Sequence, residues 1–212
     1  MLRSCGSNRA PQGSWRFCPN ETPIKLCAAQ HAAAAEQPIV IRTSCGAEPR
    51  ADSTVNDAST AIRPFQDQDE AAVIGVWHRS GRAAYRFLPN WQALTLKRAG
   101  EIFREMIRPR CNIWVGTRQE HVVAFLAMTG SYIDRMFVDP AEWRKGWGTR
   151  FVLFAKTLHP SGLELHTHQE NHAARQLYEK HGFRAVKFGV SPAPESAPDV
   201  EYHWRPDDMS EK

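Results

Sequence analysis

Residues 139–158 read DPAEWRKGWGTRFVLFAKTL, and the character of the chain changes partway through them. Gly146 and Gly148 sit among cations and tryptophans and run straight into an amphipathic helical pattern. Glycine has no side chain, so the main-chain N–H groups of such a turn can approach a bound anion closely, and a helix start adds roughly half a positive charge. Arg144, Lys145 and Arg150 add full charges. The pattern describes a pocket for a phosphate or diphosphate; the plain alternative is a glycine pair that only makes a tight turn. Two familiar phosphate-binding patterns fail here. A P-loop needs Lys-Ser/Thr directly after its second glycine, where this chain has Thr149-Arg150, and a dinucleotide fingerprint needs a third small residue at the position of Phe151.

Outward from this turn the chain is regular. NIWVGT, HVVAFLAM and YIDRMFV read as three consecutive strands before it, the first two joined by the polar turn RQE. After it come a helix over 149–158, ended by Pro160 and Gly162, and a strand LELHT. A helix over 172–181 follows, with Asn171 as N-cap and Gly182 as C-terminal stop. FRAVKF and VEYHW close the chain as strands, joined by the proline-rich SPAPESAPD. On the upstream side, AIRPF reads as an edge strand, because Pro64 cannot donate to a central ladder. Asp67 and Glu70 make a capping-box-like opening to a helix carrying Val73, Val76 and Trp77. A second helix over 95–108 places Leu96, Ala99, Ile102, Phe103, Met106 and Ile107 on one face and stops before Pro109. The predicted order is βααβββαβαββ, one mixed α/β domain over 61–206 followed by a tail at 207–212.

Composition narrows the function classes. Of 212 residues 42% are hydrophobic and 24% charged, and the longest apolar runs, such as VVAFLAM, fall far short of a bilayer crossing. A formal charge of +4 suits an anionic ligand without demanding nucleic acid. Of the 7 Trp, 4 Tyr and 10 Phe, only Trp15 and Phe17 precede residue 60. That segment has too little apolar surface to offset the entropy of ordering it, and residues 1–60 are expected to form a flexible leader. A transit peptide or an over-extended start is the alternative. The 5 cysteines are odd in number and form no CxxC pair, and no secretory signal is evident, which points to a reducing compartment, the cytoplasm.

Two segments at this separation, VDPAEWRKGWGTRF and NHAARQLYEKHGF, resemble the GCN5-related N-acetyltransferase (GNAT) family. That family's acyl-CoA loop reads Gln/Arg-x-x-Gly-x-Gly/Ala, and its next helix Asn-x-x-Ala-x-x-x-Tyr-x-x-x-Gly-Phe. The second pattern is met in full at Asn171, Ala174, Tyr178, Gly182 and Phe183. The first departs at its opening position, occupied by Trp143, with Arg144 beside it as the expected substitute. The resemblance spans 61–204 and implies a central mixed, mostly antiparallel sheet flanked by helices. It implies acetyl-CoA as co-substrate, no metal, and a primary amine of a small molecule or protein as acceptor. The main chain of Arg144, Lys145, Gly146, Trp147, Gly148 and Thr149 would then hold the diphosphate, and Met136, Phe137 and Val138 the pantetheine and thioester carbonyl. Trp147, bulkier than the usual aliphatic residue there, is expected to pack on its own helix.

Moving an acetyl group from a thioester to an amine needs a neutral amine, support for the oxygen that becomes negative, and a proton for the departing thiolate. A lysine-like amine is only about one part in 10³–10⁴ neutral at pH 7, which costs ~4–5 kcal/mol unless a base or a desolvating pocket offsets it. By resemblance Tyr178 is the acid; the alternative is a core tyrosine on an amphipathic helix. Asn171 holds the pantetheine, caps its helix, or does both. Strand alternation puts Asp134 on the face of Met136 and Val138, making it a candidate base, against a plain surface carboxylate. His166, His168 and His172 share spacing that a metal site or a base could use, but no HExxH pattern or cysteine partner supports a metal. Glu195, Asp199 and Glu201 could attract a cationic amine or form solvated surface. The rival reading is a non-catalytic acyl-CoA sensor of the same fold. Nucleic-acid binding rests on mild basicity alone, no membrane partner is expected, and an edge strand leaves room for a homodimer.

Overall fold

β-branched and aromatic residues in alternation build the first half of a sheet. In the computed structural model, which describes residues 60–206, β1 (Thr60–Pro64), β2 (Asn112–Arg118), β3 (His121–Thr129) and β4 (Tyr132–Val138) pair antiparallel in succession. The expected leader, apart from Thr60, and the expected tail lie outside the described residues. β2 and β3 turn tightly at Gln119 and Glu120, both at positive φ. The chain then crosses through α4 (Trp147–Leu158) to β5 (Leu163–His168), which runs parallel to β4. After α5 (His172–Lys180), β6 (Arg184–Val190) takes the outer edge, and β7 (Pro198–Trp204) inserts between it and β5. The sheet order is β1-β2-β3-β4-β5-β7-β6, with β4–β5 the single parallel pair among the described residues. β1 lies at an edge of the sheet, where Pro64 faces Trp114 and no described strand on its other side calls for the N–H that proline lacks.

The pleat divides the apolar residues between two cores. Val115 and Phe125 face α1 (Glu70–Ala84) and α3 (Leu96–Ile102), with Val73, Val76 and Trp77. Leu126 and Met128 face α4 and α5, with Trp147, Phe151 and Leu165. Two features of this sheet prepare the site. β4 and β5 are paired only at Tyr132–Glu164 and Ile133–Leu165, after which they separate. In β4, Ala127 faces Arg135 while Met128 faces Ile133, so Asp134 is the extra residue of a bulge.

Several expectations need correction. A further short helix, α2 (Pro89–Ala93), started by Pro89, lies between the two foreseen ones. The helix expected over 95–108 keeps α geometry only to Ile102 and finishes in a π turn, Phe103–Ile107. Leu96 in its first turn is 53% exposed, and burial starts one turn later at Ala99. The capping box is Gln66 with Asp69, not Asp67 with Glu70, because Asp69 is the acid that turns inward. Its carboxylate takes two hydrogen bonds from Arg63, at 2.6 and 2.8 Å, and one from Gln66 N at 2.9 Å. Asp67 pairs instead with Arg108.

The Arg63 fork holds Asp69 below the ordinary carboxylate range, against the opposing effect of burial. A lowered folded pKa contributes stability above the unfolded value of about 3.9 and loses it as pH falls through the folded value. Asp69→Asn is therefore expected to lower stability by about 1.5–3 kcal/mol at pH 7. The difference from wild type should shrink in urea melts taken at successively more acid pH.

Candidate active site

The turn from β4 into α4 is built by its own side chains. Asp139 accepts from Ala141 N at 3.1 Å, and Pro140 starts a single 3-10 turn. Arg144 and Gly146 then take positive φ, 63° and 86°. A side chain at Gly146 would touch nothing, so its backbone conformation is what requires glycine there. α4 begins at Trp147, two residues earlier than expected, and its N-cap Gly146 offers no side-chain cap. The first intrahelical bond is Arg150 N to Gly146 O, so the amides of Trp147, Gly148 and Thr149 have no intrahelical acceptor. Gly148 has a different reason: a Cβ there would lie 2.7 Å from Leu177 Cδ2, so this glycine lets α4 and α5 approach.

The cations and tryptophans divide their tasks. Lys145 is drawn back to Glu142 at 3.0 Å, and Arg150 donates to Thr60 Oγ1 at 2.8 Å while lying over the Trp147 ring. Arg144 is exposed and makes no ion pair with a described residue. Trp147 is 1% exposed; its ring packs beside Phe151 and over Gly116, where a Cβ would come within 2.7 Å of it. Its side chain thus faces the core rather than any ligand, leaving only its amide to the turn. Trp143 is 41% exposed and donates from Nε1 to Val138 O at 2.7 Å.

Where β4 parts from β5, upstream of the turn, a cavity of about 240 Å³ opens whose walls include Asp134, Met136, Phe137, Asn171 and Tyr178. Val138 lies outside this lining, and its carbonyl is already occupied by Ser80 Oγ at 2.6 Å as well as by Trp143. The bulge also overturns the expected alternation. Ile133 and Met136, three apart, share the α4–α5 core, so Asp134 is not simply in line with Met136 and Val138. Its carboxylate pairs with Arg135 at 3.3 Å.

Tyr178 is 6% exposed on α5, its ring against Phe183 and Tyr202. Its hydroxyl has no hydrogen-bond partner among the described residues. Burial, reinforced by nearby Tyr85, pushes its pKa well above that of an ordinary tyrosine, so the phenol keeps its proton. Asn171 caps α5 by accepting from Ala174 N at 3.3 Å and lines the cavity as well. Thr149 Oγ1 lies 3.2 Å from His181 Nε2, tying the start of α4 to the end of α5.

A model of the acetyltransferase (GNAT) domain matches residues 109–185. The peptidyl-lysine N-acetyltransferase YjaB of Salmonella typhimurium is 32% identical over 126 residues, covering 59% of this chain and 83% of that protein. The chain belongs to the GNAT acetyltransferase family. YjaB of Escherichia coli is 26% identical over 127 residues. Among solved GNAT folds, the solution structure of apo YjaB from Escherichia coli has a TM-score of 0.58 at 23% identity, covering 68% of this chain and 97% of that one. The PaiA N-acetyltransferase of Thermoplasma acidophilum, solved in complex with coenzyme A, has a TM-score of 0.52 at 16% identity, covering 69% and 99%. Both likenesses show the shared fold.

In this GNAT chain the three histidines do not gather. His166 faces Tyr132 OH at 3.3 Å and Glu201 at 3.7 Å, and burial pushes its pKa down. His168 is 6% exposed and meets Glu195 at 3.1 Å, while His172 is exposed on α5. No group of three or more His, Cys, Asp or Glu among the described residues could hold a metal ion, and no helix among them is long and apolar enough to cross a membrane. Sequence reading named Phe137 but missed Tyr85 and Trp91, which complete the aromatic wall of the cavity with it. The aromatic density of 77–91 was the available signal in the sequence.

Proposed function

We propose that the chain is an acetyl-CoA-dependent N-acetyltransferase acting on a primary amine, with a protein lysine as the favoured acceptor. The observation that carries this reading is the Tyr178 hydroxyl, protonated and without a partner among the described residues, on the wall of a cavity that opens where β4, the strand leading to an uncapped helix start, parts from β5. The lysine acceptor is drawn from the YjaB proteins, named as peptidyl-lysine N-acetyltransferases. The turn fits the co-substrate: its amides and Arg144 suit a diphosphate, and the unpaired stretch of β4 suits an amide-bearing arm.

Acetyl-CoA supplies an activated acyl group bonded to sulphur. The amine nitrogen donates its lone pair to the carbonyl carbon, the carbon–sulphur bond breaks, and its electron pair leaves on sulphur. Tyr178 gives its hydroxyl proton to that sulphur. Asp134, directly or through water, receives the proton that nitrogen loses, and solvent returns one to Tyr178. A phenol held above its usual pKa donates fully only to a thiolate desolvated in the same cavity, where the sulphur is equally reluctant to stay charged.

The test is thermal stability with acetyl-CoA, followed by free-thiol release with lysine peptides. Stabilisation without thiol release would favour the rival, an acyl-CoA sensor, for which Trp143 in place of the family's Gln/Arg is the supporting observation. Absence of stabilisation at millimolar acetyl-CoA would remove both. Arg144→Ala is expected to raise the KM for acetyl-CoA about five- to tenfold, less at high salt, since an exposed cation facing a phosphate is screened.

A further inference from the structure

Resting on the acetyltransferase reading, we propose that Glu195 is the seat of the acceptor's ammonium group, a carboxylate fixed in the cavity by Trp91 and His168, with the aromatic wall taking the acceptor's hydrocarbon stem. The segment between β6 and β7 is closed on itself: Ser191 N donates to Ala197 O at 2.8 Å, and Ala197 N to Ser191 Oγ at 3.1 Å. Asn90 of α2 donates to Pro194 O, strapping the segment to the helices. Glu195 at its tip receives one hydrogen bond at each oxygen, from Trp91 Nε1 at 3.0 Å and from His168 Nε2 at 3.1 Å.

Both donors are rigid rings that are themselves buried, Trp91 at 7% and His168 at 6% exposure. The contact with Glu195 requires the proton on His168 Nε2, and Nδ1 of the same ring has no partner among the described residues. His168 is therefore committed to Glu195. A two-point clamp leaves each carboxylate oxygen a free lone pair and removes the freedom that a glutamate on a loop normally has.

Charge and shape agree on the occupant. The cavity walls carry three carboxylates, Asp134, Glu195 and Asp199, against the single guanidinium of Arg135. Tyr85, Trp91 and Phe137 present adjoining ring faces in the same cavity, a surface for methylenes with a cation at their end. Glu195 is a binding group and not the base. Burial pushes its pKa up, but His168 and Trp91 outweigh it and hold it below the ordinary range, which makes it a poor taker of an ammonium's proton. His168 and Trp91 act as positioning residues.

The experiment compares wild type, Glu195→Gln and His168→Phe, using N-acetyl-lysine amide as acceptor and 6-hydroxyhexanamide as an uncharged control. Glu195→Gln should raise the acceptor KM tenfold or more, with kcat changed about threefold at most and the acetyl-CoA thermal shift intact. His168→Phe should shift KM in the same direction, and His168→Gln, which keeps a donor, should recover part of it. Binding of the lysine amide to coenzyme A-loaded protein, read by calorimetry, covers a protein that turns nothing over. Amine binding lost in Glu195→Gln then supports the seat even though the catalytic reading has failed. Equal binding or equal KM in wild type and Glu195→Gln overturns the seat, as does a loss confined to kcat or wild-type protein that binds the uncharged control equally well.

Discussion

Tyr178→Phe is expected to lower kcat by about 10²–10⁴-fold, the range for removing a positioned general acid, while leaving the thermal shift with acetyl-CoA in place. The substitution deletes one oxygen from a ring whose packing against Phe183 and Tyr202 is otherwise kept. Because that oxygen has no partner among the described residues, removing it leaves no buried group orphaned, and stability should change little. The upward pKa adds a second signature. Since burial holds the phenol protonated, no alkaline loss of rate from Tyr178 is expected until pH has passed the ordinary tyrosine value of about 10. Rates measured from pH 7 to 10 check this; equal kcat in the variant removes Tyr178 from the chemistry.

Trp147→Ala is expected to lower stability by about 3–5 kcal/mol, the usual range for truncating a buried tryptophan. In a domain of this size that is a fall in Tm of roughly 6–20 °C. The ring at 1% exposure fills the space beside Phe151 that Gly116 leaves open, so its removal makes a void between β2 and α4. The neighbouring tryptophan of the same motif gives the control. Trp143 is 41% exposed and held by one hydrogen bond, so Trp143→Ala should cost about 1 kcal/mol or less. Differential scanning calorimetry of the two variants separates a structural tryptophan from one that covers the end of β4.

The sheet was largely legible in the sequence because its signals are local. Alternation in NIWVGT and HVVAFLAM, Pro64 in an edge strand and Asn171 as a cap each depend on a few neighbouring residues. The misreadings came from contacts that join one element to another. Which of Asp67 and Asp69 turns inward is decided by Arg63 on the preceding strand β1, an element boundary that helix capping rules do not look across. The bulge at Asp134 is set by pairing with β3, so strict alternation cannot by itself fix where that carboxylate sits. Gly148, read from the sequence as part of an anion loop, meets a further constraint in Leu177 on another helix. Of the candidate site, the motif residues could be placed, but the aromatic wall and the ring clamp on Glu195 join residues 91, 168 and 195, which no window of sequence brings together.

The short joint between β4 and β5 has a mechanical consequence. With two residue pairs riveting one plate of the molecule to the other, the seam is where the domain is easiest to prise apart. A molecule threaded through the gap would act as a cross-tie between the plates. Amide protons along residues 134–138 should then exchange with deuterium more slowly in the loaded protein than in the empty one, while those at the centre of β3, already shut in on both sides, should hardly respond.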